Sequence, residues 1–128
     1  MEEFAPVGNR VLVVDDDPDI RDLLVSVLQD DGYEAESARN GKDALDVLER
    51  WPADVVVLDL MMPVMDGWTF ADRMRERWRI PIVVLSAATD LSRHAKRLGA
   101  ADVVPKPFEL DALLPRIARV AAAGGSAT

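Results

Sequence analysis

The chain has 128 residues, 49% of them hydrophobic, and its 15 basic and 23 acidic residues give a net charge of −8. That length and composition bound one globular domain with its own core, and the acidity argues against non-specific binding of nucleic acid. Zero Cys exclude a disulfide framework and thiolate metal sites, and a single His argues against zinc or iron. A metal here is therefore expected to be a hard cation held by oxygens. No apolar run approaches 18 residues and no basic-then-apolar leader is seen, so a cytoplasmic protein with no membrane contact is expected.

Residues 1–9, with Pro6, Gly8 and Asn9, read as an N-terminal tail. Arg10 to Val14 reads as the first strand, ending in Asp15-Asp16-Asp17-Pro18. Asp17 before Pro18 has the form of an N-cap with proline at the first helical position. The helix it opens carries Ile20, Leu23, Leu24, Val27 and Leu28 at helical spacing and stops at Gly32. Tyr33 to Ser37, with polar and small residues between its ends, reads as an edge strand.

Asn40-Gly41 opens a second helix, with Ala44, Leu45, Leu48 and Trp51 inward, and Pro52 forbids its continuation. Val55-Val56-Val57-Leu58 is a short apolar run of the kind buried on both faces of a parallel sheet, and it stops at Asp59. Pro63 and Asp66-Gly67 mark a turn and a helix start. The third helix is expected from about Gly67 to Trp78, with Phe70, Ala71 and Met74 inward. Ile82 to Leu85 is a fourth strand ending at Ser86. A short helix, roughly Leu91 to Leu98, closes at Gly99. Val103-Val104 is a fifth strand ending at Pro105-Lys106-Pro107. The last helix carries Leu110, Leu113, Leu114, Ile117 and Val120, with Pro115 expected to bend or weaken it. Residues 122–128 read as a flexible tail or the start of a linker.

Five strands alternating with five helices predict a parallel sheet with helices on both faces. Such sheets bind ligands at the carboxyl ends of their strands. The residues just past those ends are Asp15 and Asp16, Asp59, Ser86 and Lys106. Carboxylates crowded at one rim repel one another, and a divalent cation removes that cost. An all-oxygen donor set points to Mg²⁺, which keeps several waters and shares phosphate oxygens. A carboxylate can attack phosphorus, and a cation and a lysine can stabilise the transferring oxygens. The implied chemistry is an aspartyl phosphate at Asp59. Asp17 and Asp66 are read as caps, His94 as a solvated residue, and the three methionines Met61, Met62 and Met65 as packing.

The stretches Val13-Val14-Asp15-Asp16-Asp17, Leu58-Asp59-Leu60-Met61-Met62-Pro63 with Asp66-Gly67, Leu85-Ser86-Ala87 and Lys106-Pro107-Phe108 resemble the receiver domain of bacterial two-component response regulators, over residues 10–121. The resemblance implies a flavodoxin-like doubly wound (βα)5 fold with strand order 2-1-3-4-5. It implies Asp59 as the phosphoacceptor for a histidine-kinase phosphohistidine. Asp16, Asp59 and the backbone carbonyl of Met61 would hold Mg²⁺, Asp15 would assist through water, and Ser86 and Lys106 would contact the phosphoryl group.

It further implies a cis Lys106–Pro107 bond. Because Val103 is too short and stiff at χ1 to follow Ser86, phosphorylation is expected to displace the loop 87–91 and the start of the helix 91–98. The partners implied are a histidine kinase or phosphotransfer protein, an output domain or downstream partner on the face built from helix 91–98, strand 5 and the last helix, and a second copy on phosphorylation. Position 103 departs from the family, where an aromatic residue is common. A haloacid-dehalogenase-like phosphatase needs a carboxylate two residues after the nucleophile, and Met61 stands there. A receiver that binds partners without phosphorylation is disfavoured because every phosphorylation residue is present. The linker-like tail suggests a larger protein.

Overall fold

The computed structural model describes residues 9–60, 64–87, 96 and 98–126. In chain order the elements are β1 (Arg10–Val14), α1 (Pro18–Asp30), β2 (Glu34–Ala38), α2 (Gly41–Arg50), β3 (Val55–Asp59), α3 (Gly67–Arg75), β4 (Ile82–Ser86), β5 (Asp102–Pro105) and α4 (Leu110–Ser126). The strands form one parallel sheet in the order β2-β1-β3-β4-β5, as expected. β2 is an edge, which suits its half-exposed residues. β3 lies at the centre and is buried throughout.

The period-2 geometry of a strand sorts the core into two layers. Leu12, Val14, Val56, Leu58, Ile82 and Val84 point to one face and pack with Ala44, Val47 and Leu48 of α2 and Phe70, Ala71 and Met74 of α3. Val11, Val13, Val55, Val57, Val83, Leu85 and Val104 point to the other and pack with Leu24 and Leu28 of α1 and Leu113 and Ile117 of α4. Burying each large side chain fully contributes about 1.5–3 kcal/mol. The two layers clamp the sheet, so the carboxyl ends of β1, β3, β4 and β5 are held in fixed relation.

Local chemistry sets the helix starts. Asp17 caps α1 through Asp19 N–H at 2.9 Å, with Pro18 at the first turn. Asn40 caps α2 through Asp43 N–H, and Asp66 caps α3 through Thr69 N–H, both at 2.8 Å. Asp17 and Asp66 are thus caps, as the sequence predicts. Gly67 must be glycine for a different reason. A Cβ there would stand 2.8 Å from Leu60 Cα, so the start of α3 rests directly on the end of β3.

Several boundaries differ from expectation. β2 begins at Glu34 and ends at Ala38, one residue later than the sequence suggests. α3 ends at Arg75, after which Glu76 N–H bonds the Arg73 carbonyl and Arg77 N–H the Met74 carbonyl, each three residues back, as in a turn. Leu23 is 45% exposed, because the buried face of α1 runs along the i, i+4 line through Ile20, Leu24 and Leu28. α4 continues through Pro115 and on to Ser126, past the expected end at residue 121. Ala121, Ala122 and Ala123 are the strongest helix formers and carry it on. The helix expected over residues 91–98 lies outside the described residues, except that Lys96 and Leu98 are helical. Among the described residues no helix is long and apolar enough to cross a membrane.

Candidate functional site

The rim at the carboxyl ends of the strands gathers the charged groups. Asp59 ends β3 and is 4% exposed, and Asp15, just past β1, is 1% exposed. Asp16, beside it, is exposed. One carboxylate oxygen from each of Asp15, Asp16 and Asp59 lies within 4.8 Å of the others. Lys106, just past β5, reaches across the rim. Its Nζ donates to Asp15 Oδ2 at 2.9 Å and stands 3.5 Å from Asp59 Oδ2.

Register explains why these residues meet. β3 pairs Asp59 with Leu85, so Ser86 ends β4 one residue further along the rim. Ser86 pairs with Pro105, and its carbonyl accepts Lys106 N–H at 3.0 Å. The Lys106–Pro107 peptide is cis, as the resemblance implies. Ser86 is fully buried.

Asp15 is tied down at every polar atom of its side chain. Oδ1 accepts from Asp17 N–H at 2.9 Å, and Oδ2 accepts from Lys106. Its backbone carbonyl accepts from Arg21 Nη1 at 2.8 Å, and its N–H donates to Ala38 carbonyl at 3.2 Å. Sequence reasoning misses Arg21. Its signal is position: one turn into α1, an arginine can reach back over the helix start to the end of β1. The Lys106 ammonium is pulled down by burial, but its hydrogen bond to Asp15 and the charges of Asp15 and Asp59 outweigh that. Its pKa is held above the ordinary lysine value.

Among the described residues, three carboxylates and one ammonium meet at this rim. The donors are all oxygens, and two of the three acids are buried. This donor set fits a small hard cation and offers nothing to a soft one. The Met61 carbonyl expected to join them lies outside the described residues, as do His94 and the segment 88–91. Among the expected site residues, the fold brings together Asp15, Asp16, Asp59, Ser86 and Lys106.

The family model for the response regulator receiver domain matches residues 11–118. The chain belongs to the response regulator receiver domain family. Receiver domains are the phosphoacceptor modules of two-component signalling systems, and this chain is one. Response regulator MprA of Mycolicibacterium vanbaalenii is 42% identical over 111 residues, covering 84% of this chain and 48% of MprA. The chain thus spans about half the length of the curated relatives it matches. Response regulator TrrA of Thermotoga maritima, solved with Mg²⁺ and BeF, superposes with a TM-score of 0.78 at 34% identity, covering 88% of this chain and 98% of that one. The BeF3-activated N-terminal receiver domain of Klebsiella pneumoniae RstA gives 0.81 at 30% identity, with coverage of 88% and 98%.

Proposed function

We propose that Asp59 is the phosphoacceptor of this receiver, with Lys106 and Ser86 as its phosphoryl contacts. The observation that carries the reading is the convergence of Asp15, Asp16 and Lys106 on a buried carboxylate at the end of the central strand. An Asp59 oxygen attacks phosphorus and forms the new P–O bond. The bond from phosphorus to the donor's leaving atom breaks, and that atom keeps the electron pair and takes a proton. Lys106, kept protonated by its two acidic neighbours, stabilises negative charge on the transferring oxygens. The Ser86 hydroxyl donates to the attached group. Asp15 acts chiefly as the residue that aims Lys106.

Asp16, Asp59 and the Met61 carbonyl would hold Mg²⁺, with Asp15 assisting through water. When bound, the ion supplies positive charge that offsets the crowded carboxylates and the phosphoryl oxygens. The phosphodonor is a histidine kinase or a phosphotransfer protein, and small phosphodonors serve in its place. Phosphorylation shifts the segment after Ser86, and the output is an attached domain or a downstream partner. MprA, about twice as long as the matched region, supports an attached domain.

Incubation with an acyl phosphate and Mg²⁺ should add one phosphoryl group by intact-mass spectrometry. Asp59→Asn should take up none. Equal uptake by the variant would remove Asp59 from the assignment.

A further inference from the structure

In a chain of net charge −8, residues 73–79 hold four arginines against one glutamate. This run ends α3 and leads into β4, at the opposite end of the strands from Asp59. A cavity of about 400 Å³ opens there, lined by Arg75, Trp78, Arg79, Ile80, Pro81 and Gly99. Among the described residues no carboxylate lines it, which is unexpected for so acidic a chain.

The parts of this cavity are held in place. Arg75 Nη2 donates to the Gly99 carbonyl at 3.2 Å. Gly99 has φ +69, and a Cβ there would stand 3.4 Å from Arg75 Nη2, so the bare glycine leaves room for the guanidinium. Arg77 forms a two-point ion pair with Glu49 and lies over the Trp78 ring, 4.5 Å from its centroid. That contact fixes the indole. Arg75 bonds a carbonyl and Arg79 has no ion pair, so among the described residues neither guanidinium is matched by a carboxylate. Ile80 and Pro81 supply an apolar wall.

We propose that this cavity binds a small planar anion, an aromatic ring carrying a phosphate or carboxylate. The ring packs against Trp78, Ile80 and Pro81, and the anionic group takes Arg75 and Arg79. A guanidinium pairs with two oxygens of such a group at once and keeps its charge at any ordinary pH. The volume lies at the small end of the roughly 300–1,000 Å³ range of small-molecule sites, so it suits one compact ligand and not a folded partner.

The test is a ¹⁵N NMR titration of the full chain with AMP as the probe. Saturable shifts are expected at the Trp78 indole N–H and the Gly99 amide, with Kd below about 1 mM. Adenosine alone and inorganic phosphate alone should each bind about tenfold more weakly, and Arg75→Ala and Arg79→Ala should each weaken AMP by about tenfold. Both variants should still take up a phosphoryl group at the wild-type rate, which shows that they are folded. The proposal is overturned by AMP shifts that do not saturate at Trp78 and Gly99. It is also overturned if phosphate alone binds as tightly as AMP, meaning an adventitious ion only. A glutamate-rich peptide that displaces AMP and binds more tightly would replace the small ligand with an acidic protein segment.

Discussion

Lys106 Nζ lies closer to Asp15 Oδ2, at 2.9 Å, than to Asp59 Oδ2, at 3.5 Å. The lysine is therefore anchored on the buried acid and only leans on the acceptor. An anchored amine can move its weaker contact to an incoming phosphoryl oxygen without losing its position.

Removing the amine should expose how much the anchor contributes. Lys106→Met keeps the aliphatic stem but leaves Asp15, 1% exposed, with Asp17 N–H as its remaining side-chain partner among the described residues. Breaking a buried pair costs about 3–5 kcal/mol, and the Lys106 side chain is 19% exposed, so about 2–3 kcal/mol is expected. Urea unfolding at neutral pH without Mg²⁺ measures it. Adding Asp15→Asn to Lys106→Met should cost far less than the sum of the two. A loss under about 0.5 kcal/mol, the range of a surface pair, would contradict the anchor.

The crowding of three carboxylates at the rim predicts opposite effects with and without metal. Asp16→Asn removes one exposed repelling charge. In EDTA it should melt about 2 °C above the parent chain. With saturating Mg²⁺ the parent should gain stability and overtake it, because binding to the folded state adds to stability. In a direct titration Asp16→Asn should weaken Mg²⁺ on the order of tenfold, and Asp15→Asn less. Equal Mg²⁺ affinity in the parent and Asp16→Asn would remove Asp16 from the metal site.

Tyr33, 6% exposed, gives a pH dependence that does not involve the rim. Burial and then the neighbouring Asp31 raise its pKa above the ordinary value of 10.0. The folded chain holds the phenolic proton to a higher pH than the unfolded chain. The associated stability is whole below pH of about 10 and is lost as pH rises through the folded pKa. Tyr33→Phe lacks this loss. Urea midpoints from pH 8 to 11 should show the gap between the two chains moving in favour of Phe above pH of about 10. A constant gap would mean that Tyr33 ionises alike in both states.

What the sequence made legible was periodic or capped. The strand runs at 55–58 and 82–85 alternate correctly into two core layers, and Asp17, Asn40 and Asp66 mark three helix starts. The rim residues were legible because strand ends can be counted. Long-range side-chain geometry was not. Nothing local says that Arg21 turns back to the Asp15 carbonyl, or that Lys106 prefers Asp15 to Asp59. Helix ends are illegible where no stop signal acts, as at Ala121–Ala123, and where a turn takes over early, as after Arg75.

Position 103 bears on where a phosphorylation signal should appear. Val103 pairs with Val84 in the sheet and is half-buried against the layer that includes Leu98. Ser86, fully buried, ends the same strand as Val84. A phosphoryl group on Asp59 should draw the Ser86 hydroxyl, since a charged acceptor makes the stronger hydrogen bond. A long aromatic side chain at 103 could follow that movement by changing rotamer. Val103 is short and stiff at χ1, so it stays. The displacement must then appear in the segment after Ser86. With beryllofluoride and Mg²⁺, amide NMR should show large shifts over residues 87–91 and the start of 91–98, and small ones at Val103. Shifts confined to the immediate neighbours of Asp59 would instead mark a receiver that passes its phosphoryl group onward.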